Sequence, residues 1–438
     1  THLEIESLPT SGFWGYLHYP IGARHARTYD LDYLGMTGRF HRSWADFGGL
    51  KTTDQLAHEC GTILSAGGKI SVGDQLHPNG ALDPAVYRLL GRVFERVEQL
   101  EPWLEGSVPA AEVGILSIAT TEENRPFGEK IYRPGVEGAA QMLLESAVQF
   151  DIVDDENLDR DLGRYRALIL PDDTPVIDQR RYRLEAYMAE GGKLVLSGTA
   201  ALDPQAGNFV LSAMPVRYRA PCPTMPGYMR LDAALTGESE LATDYDYVLY
   251  GQAQQVEPVA GAARHGQLRR ALFNRTWEHF ISHAHAPVGD YLNSPLVAAN
   301  DQILYMAAPL FGAYRRFDYW AYRAIAINAL RDFLPSPLVQ TSAPGWIETT
   351  LHSQQADGAT RRIIHLTAYQ PRRTLQPVPH VDQAAKTAGI VVSVRVDGAM
   401  PRRVYLAPER QVLPFTVENG YVRVELPPIG VHTVIVLE

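Results

Sequence analysis

The hydrophobic pattern changes character twice along the chain. Residues 1–105 mix short alternating runs with apolar stripes at helical spacing. In His2-Leu3-Glu4-Ile5-Glu6, Leu3 and Ile5 face one way and His2, Glu4 and Glu6 the other, as in a strand. A second short run covers Tyr33 to Thr37. Leu56, Cys60, Ile63 and Leu64 then form one stripe, predicting a helix over about 53–66. Thr52 is its N-cap, Gln55 completes a capping box, and Gly67-Gly68 stops it. The strand Lys69–Gly73 and a polar loop, 74–80, follow. Asp83 and Pro84 open a further helix with Val86, Leu90, Val93, Val97 and Leu100 on one face. This alternation predicts parallel strands with crossover helices.

From 111 to about 335 the pattern is four short apolar runs separated by helices, an α/β texture of the doubly wound kind. Strands fit Glu112–Ser117, Phe150–Val153, Ala167–Leu170 and Lys193–Ser197; helices fit 136–149, 178–190 and 317–333. Residues 203–265, rich in Tyr, Pro and Gly, show no period and stay unassigned. From 345 period two takes over. Val392, Val394 and Val396 form one row, and Val422, Val424 and Leu426 another, with Asn419-Gly420 as a hairpin turn signal. Residues 371–389 read as a Pro-containing basic loop. This last part predicts a small antiparallel β domain of sandwich type. The expected division is 1–105, 106–340 and 341–438.

The length, 438 residues, agrees with about three domains. A formal charge of −10 argues against nucleic acid or an anionic membrane as the main partner. No apolar run approaches the ~18 residues of a bilayer-spanning helix. The composition fits a soluble protein, with the cytoplasm slightly favoured. Two cysteines, Cys60 and Cys222, are too few for a disulfide framework. The chain starts with Thr1 and a strand, so the expectation is the C-terminal part of a longer protein.

Candidate chemistry concentrates in the first 80 residues. A glutamate at the carboxyl end of a barrel strand suits acid/base or nucleophilic work. Glu6 stands nearer that end than Glu4. The plainer alternative for both is an ion pair with Arg24, Arg27 or Arg39. The stretch 35–49 offers Arg39, His41, Trp44 and Asp46, and Trp14 lies upstream. Charged groups and aromatic faces of this kind bind sugars, though a solvated loop over a core tryptophan has the same composition. Asp74 and His77 follow the next strand, where Asp74 could equally brace its loop. Catalytic candidates are therefore Glu6, Glu4, Asp46 and Asp74; substrate-binding candidates are Trp14, Arg39, His41, Trp44 and His77. His279, His283 and His285 lie within seven residues, but no HExxH or CxxC pattern accompanies them. Neither metal nor cofactor is expected, and no nucleotide-binding motif occurs.

Residues 165–200, YRALILPDD to YMAEGGKLVLSGTA, resemble class I glutamine amidotransferases in rhythm. The nucleophile elbow of that family needs a Gly-x-Cys-x-Gly turn, and neither cysteine sits in one. Only Ser197 and Thr199 follow the strand. Residues 35–104, GMTGRFHRSWADFGG to FERVEQLEPWL, resemble the last third of a glycoside hydrolase barrel. They are similar to glycosyl hydrolases that carry a β-galactosidase trimerisation domain and, more distantly, to family 29 α-L-fucosidases. The matching positions are Trp44, Gly67-Gly68, Ile70–Gly73 and Pro78-Asn79-Gly80. The order of the whole chain is similar to family 42 β-galactosidases: barrel, flavodoxin-like trimerisation domain, small β domain. The resemblance implies a retaining two-carboxylate hydrolysis of a galactoside- or fucoside-like terminal sugar, and a homo-oligomer, a trimer. It also implies that at most one of the two carboxylates is present here, so that the chain alone is inactive. The alternative is a non-catalytic carbohydrate-binding or oligomerisation module.

Overall fold

The computed structural model describes residues 2–11, 14–118, 132–160, 162–356, 358–370, 381 and 383–438. The fold is mixed α/β with several separate sheets. The chain divides into two compact units. One comprises 1–111, 144–150 and 337–438; the other comprises 112–143 and 151–336.

The first unit begins with β1 (His2–Glu6), α1 (His18–Ala26), β2 (Asp32–Gly38), α2 (Thr53–Ser65), β3 (Lys69–Gly73) and α3 (Pro84–Leu104). The three strands pair in parallel in the order β1-β2-β3, so β1 and β3 each keep one edge open among the described residues. Leu3, Ile5, Tyr33 and Ile70 pack with Tyr19 and Ala23 of α1 and Ile63 of α2. By the period of two, His2, Glu4 and Glu6 therefore point to the helix-free face, beside Leu34 and Met36. Helix α2 starts on the Thr52 side chain, which accepts the Gln55 N–H at 3.1 Å. It ends one residue earlier than its stripe predicts, with Gly67 left-handed at φ +89° and the Gly68 N–H bonded to the Ile63 carbonyl.

The rest of this unit is two β-sheets face to face. Strands Ile347–Ala356, Ala359–Ala368, Val404–Ala407 and His432–Leu437 belong to a six-stranded sheet, and Val391–Arg395 and Tyr421–Glu425 to a four-stranded one. Leu351, Ile364, Leu366, Ile435 and Leu437 of the larger sheet meet Val392, Val394, Val422 and Val424 in one core. Alternate residues of the larger sheet face the other way. There Ile363, Tyr405, Val434 and Val436 pack on Leu100 and Trp103 of α3. Of the predicted basic loop 371–389, residues 371–380 and 382 lie outside the described residues.

The second unit is built on one nine-stranded sheet. Ile303–Met306, Lys193–Ser197, Ala167–Leu170 and Val113–Leu116 pair in parallel in that spatial order, and Phe150–Val153 flanks the last. Counted along the chain, this is the order 2-1-3-4-5. These strands are almost wholly buried, as expected where helices cover both faces. Antiparallel strands extend the sheet through the region without a period, 203–265, and beyond it. Within 203–265 its strands are the short Gly227–Arg230 and Asp246–Leu249, and Val216–Pro221 pairs with Gln254–Pro258 in a separate two-stranded sheet with a register shift between Tyr218 and Ala220, so no run is long and regular enough to show a period. The helix expected over 317–333 is two helices, Leu310–Phe317 and Trp320–Phe333, with Asp318 left-handed between them.

Candidate active site

Glu4 and Glu6 are exposed, and neither makes an ion pair or side-chain hydrogen bond with any described residue. The arginines offered as partners are committed elsewhere. Arg24 donates to the Pro20 carbonyl, and Arg27 to the Phe150 carbonyl at 2.7 Å. Glu6 pairs in register with Met36, and Met36 with Ser71, placing it near the carboxyl end of the sheet.

Arg39 is the organiser of that end. It is 1% exposed, and its Nε donates to Asp74 Oδ1 at 2.8 Å. Its Nη1 donates to the carbonyls of Phe47 and Gly49, both at 3.0 Å. One buried guanidinium thus fixes the loop after β2 against the loop after β3. Asp74 spends its carboxylate on Arg39 and on its neighbour, the Gln75 N–H. This geometry makes both residues braces of the site rather than groups open to a ligand. Burying such a pair stabilises only because the guanidinium's other hydrogens find carbonyls.

Trp44 lies over the end of β3. A Cβ on Gly73 would come within 2.4 Å of its ring, so only glycine admits it there. The ring also meets Phe40 edge-on at 5.2 Å and stays 41% exposed. His77 meets Phe47 at a tilt, 5.1 Å between ring centres. His41 is exposed, and its carbonyl accepts from Thr10 Oγ1. Trp14 meets His18 edge-on at 4.5 Å, away from these contacts. Asp46 is half-buried and its carboxylate lies against Gly49. The loops after β1, β2 and β3 thus meet on the carboxyl side, through Thr10–His41, Arg39–Asp74 and Phe47–His77.

One group escaped sequence reading. Lys51 Nζ donates to Glu59 Oε2 at 2.6 Å and to Thr37 Oγ1 at 3.1 Å, and Thr37 donates to the same Glu59 oxygen. All three are buried. Glu59 sits within the apolar stripe of α2, three residues after Leu56 and four before Ile63, so its spacing was the signal of a buried carboxylate that needs a partner.

Elsewhere the candidates disperse. Ser197 is fully buried; its hydroxyl donates to Asp172 Oδ1 at 2.8 Å and accepts from the Asp172 N–H, a closed brace with no base. His279 and His283 are exposed and His285 half-buried. Among the described residues, no group of three or more His, Cys, Asp or Glu side chains could hold a metal ion. Cys60 and Cys222 are free and buried, and burial pushes both thiols up to about 12. No helix among the described residues is long and apolar enough to cross a membrane.

Neither a protein-family model nor a curated protein sequence matches the chain. Solved structures do, and the chain is glycoside hydrolase-like in structure. It is similar to α-L-fucosidase isoenzyme 2 from Paenibacillus thiaminolyticus, with 32% identity and a TM-score of 0.90 over 100% of this chain and 65% of that one. It is also similar to a GH42 β-galactosidase from G. stearothermophilus, with 12% identity and a TM-score of 0.63, covering 100% of this chain and 59% of that one. A β-galactosidase from Bacillus circulans sp. alkalophilus gives 11% identity and the same TM-score, covering 100% and 60%. The last two likenesses concern fold alone. The chain spans 65% or less of the length of each of these three proteins.

Proposed function

We propose that this chain is the C-terminal part of a glycoside hydrolase that removes a terminal fucoside- or galactoside-like sugar by a two-carboxylate mechanism. Glu6 supplies one carboxylate. The observation that carries this reading is the state of Glu6 among the described residues: exposed, unpaired, near the carboxyl end of a parallel strand and on the face none of their helices covers. Carboxylates left without partners at such a position are available to a glycosidic oxygen or an anomeric carbon. Trp44, held over Gly73, offers an aromatic face for a sugar ring. In this reading β1, β2 and β3 are the last strands of a barrel whose other strands pair with the two open edges. The fucosidase likeness, 32% identical, favours an α-L-fucoside over a galactoside. The 2-1-3-4-5 order of the second unit is flavodoxin-like. We assign that unit to homo-oligomer assembly, a trimer, and residues 341–438 to a sandwich-type β domain.

The test is Glu6→Gln in the whole protein. Turnover of 4-nitrophenyl α-L-fucopyranoside and β-D-galactopyranoside is measured beside the melting temperature. Gln keeps the shape but cannot donate a proton as an acid or attack as a carboxylate. The expected result is a loss of at least about 10²–10⁴ in rate with an unchanged melting temperature, because Glu6 holds no partner. Wild-type turnover in the variant would sink the assignment.

A further inference from the structure

Four histidines meet at one seam of the first unit, and the glycosidase reading does not use them. His352, His365 and His432 lie on three neighbouring strands of the six-stranded sheet. The register pairs Thr350 with His365, Thr367 with His432, and His365 with Val434, so the three form a diagonal row. All point away from the sandwich core, towards α2. Their rings touch in sequence: His352 to His365 at 4.6 Å between centroids, His365 to His432 at 5.3 Å and nearly parallel. The fourth, His58, belongs to α2.

Helix α2 meets this row at positions 58, 61 and 65, one face at helical spacing. His58 hydrogen-bonds the backbone of Ala368 and packs against the rings of Tyr16 and Tyr369. His432 lies on Gly61 so closely that a Cβ there would stand 2.9 Å from its Cγ. His352 Nε2 donates to the Ser65 carbonyl at 2.8 Å, and its Nδ1 lies 3.2 Å from Ser107 Oγ, a hydroxyl that can give or take a proton.

The neutral rings of His365 and His432 carry two protons: one shared between Nδ1 and Nε2, 3.0 Å apart, and one on an outer nitrogen. A third proton, which would charge the pair, must leave both outer nitrogens protonated. On the shared nitrogens it would set N–H against N–H. On His365 Nε2 the N–H stands in a buried position with no acceptor, because that atom has no partner. His58 Nδ1 is buried and unpartnered in the same way. We propose that this histidine seam is an acid-released latch: it closes α2 onto the sheet only while its four rings are neutral, and protonation opens it.

The surrounding charges reinforce the bias. Arg24 of α1 and Arg27, just after it, lie near His352, and from α3, Arg96 lies near His432. Each disfavours another positive charge. The carboxylates nearby are engaged: Glu59 by Lys51, and Glu409 by Arg96. Glu348, pushed up by burial, lies beside Arg24. Lys386 and Glu409 line, with His432, a cavity of about 460 Å³ through which protons can reach the row. Burial holds His58 down to about 4; burial, then Arg27 and Arg24, hold His352 to about 4; burial, then Arg96 and the neighbouring rings, hold His432 to about 3. Burial and the rings of His352 and His432 hold His365 well below its ordinary value. Opening reaches beyond the seam, since α2 also carries Glu59, which holds Lys51 and Thr37 at the end of β2.

A histidine at about 4 when closed and 6.5 when open raises the open population roughly 20-fold between pH 7 and pH 5. Three or four histidines multiply that factor. The experiment is amide hydrogen exchange by mass spectrometry at both pH values, each rate divided by its intrinsic rate. Wild type is compared with His352→Gln and His432→Gln. In wild type, protection over 53–65 and 359–368 should fall at least 20-fold at pH 5, with no fall over 193–197 in the other unit. Each variant should lose about one 20-fold step of that dependence. Equal protection at both pH values in wild type overturns the proposal, even if neither variant folds. So does a variant with the full wild-type dependence.

Discussion

The two units solve the problem of buried polarity in opposite ways. In the second, the parallel strands are apolar except at the Lys193 and Ser197 ends, and the buried carboxyl of Asp172 sits at their carboxyl side in a cage of donors. It accepts from the Gly312 N–H and from Ser197 Oγ at 2.8 Å. Burial still wins over those donors and pushes it up to about 6. In the first, polarity runs through the packing itself: four neutral histidines along α2, a Lys51–Glu59 pair beneath it, and Arg39–Asp74 across two loops. At Asp172 the second unit therefore prefers a protonated group, and at its histidines the first prefers bare ones. What this teaches is that the same fold-level burial produces opposite pH linkage, depending on whether an acid or a base is enclosed.

The contrast breaks most readily at Glu59. Replacing it with Gln leaves Lys51 charged and buried with no carboxylate, a change of about 3–5 kcal/mol. Urea denaturation of Glu59→Gln should show a loss of that size, with protection disappearing first from the 53–65 segment. A loss below about 1 kcal/mol would mean that water reaches Lys51 and that the pair behaves as a surface one.

The next effect tests the sign of the difference. Asp172 is raised above its ordinary 3.8, so its stabilisation is complete below that value and is lost as pH rises through about 6. Integrated, the shift is worth about 3 kcal/mol. The histidines are lowered, so the unfolded chain binds more protons between about pH 4 and 6.5, and stability is lost as pH falls through that window. Between pH 4 and 7, protection over 167–170 should decline with rising pH while protection over 359–368 increases. Asp172→Asn should flatten the first trend and leave the second. Parallel trends in both units would refute the contrast.

Gly61→Ala sharpens the picture at the smallest scale. The added methyl must displace His432, whose Cγ and Cβ stand 2.9 and 3.0 Å from it. Overpacking of this kind costs about 1–3 kcal/mol, although alanine is the better helix former. A melting temperature equal to or above wild type would show that the ring has room to yield.

Much of the second unit was legible because its strands read as unbroken apolar runs: Val113–Leu116, Ala167–Leu170 and Lys193–Ser197 fall where the pattern places them. In the first unit, the caps at Thr52 and Asp83 and the Gly67 stop were equally legible, since capping is local chemistry. The antiparallel extension through 203–265 was not, because its strands, Gly227–Arg230 and Asp246–Leu249, are too short to show a period of two. The placement of Glu6 on an unhelical face follows from Leu3 and Ile5 alone. That Asp74 is spent on Arg39 does not.

The sequence by itself determined the elements whose cause lies within a few residues: alternation, stripes, caps and turns, and hence which side chains share a face. It could not say what covers a face. His352, His365 and His432 occupy the alternate positions of strands whose other positions are Leu351, Ile364 and Ile435, and in a one-sided sheet such polar positions meet water. Only the tertiary structure brought α2 and α3 over them. It turned a polar face into a dry seam, because a helix more than 280 residues earlier than its partner strand supplies the carbonyl of Ser65 that His352 needs.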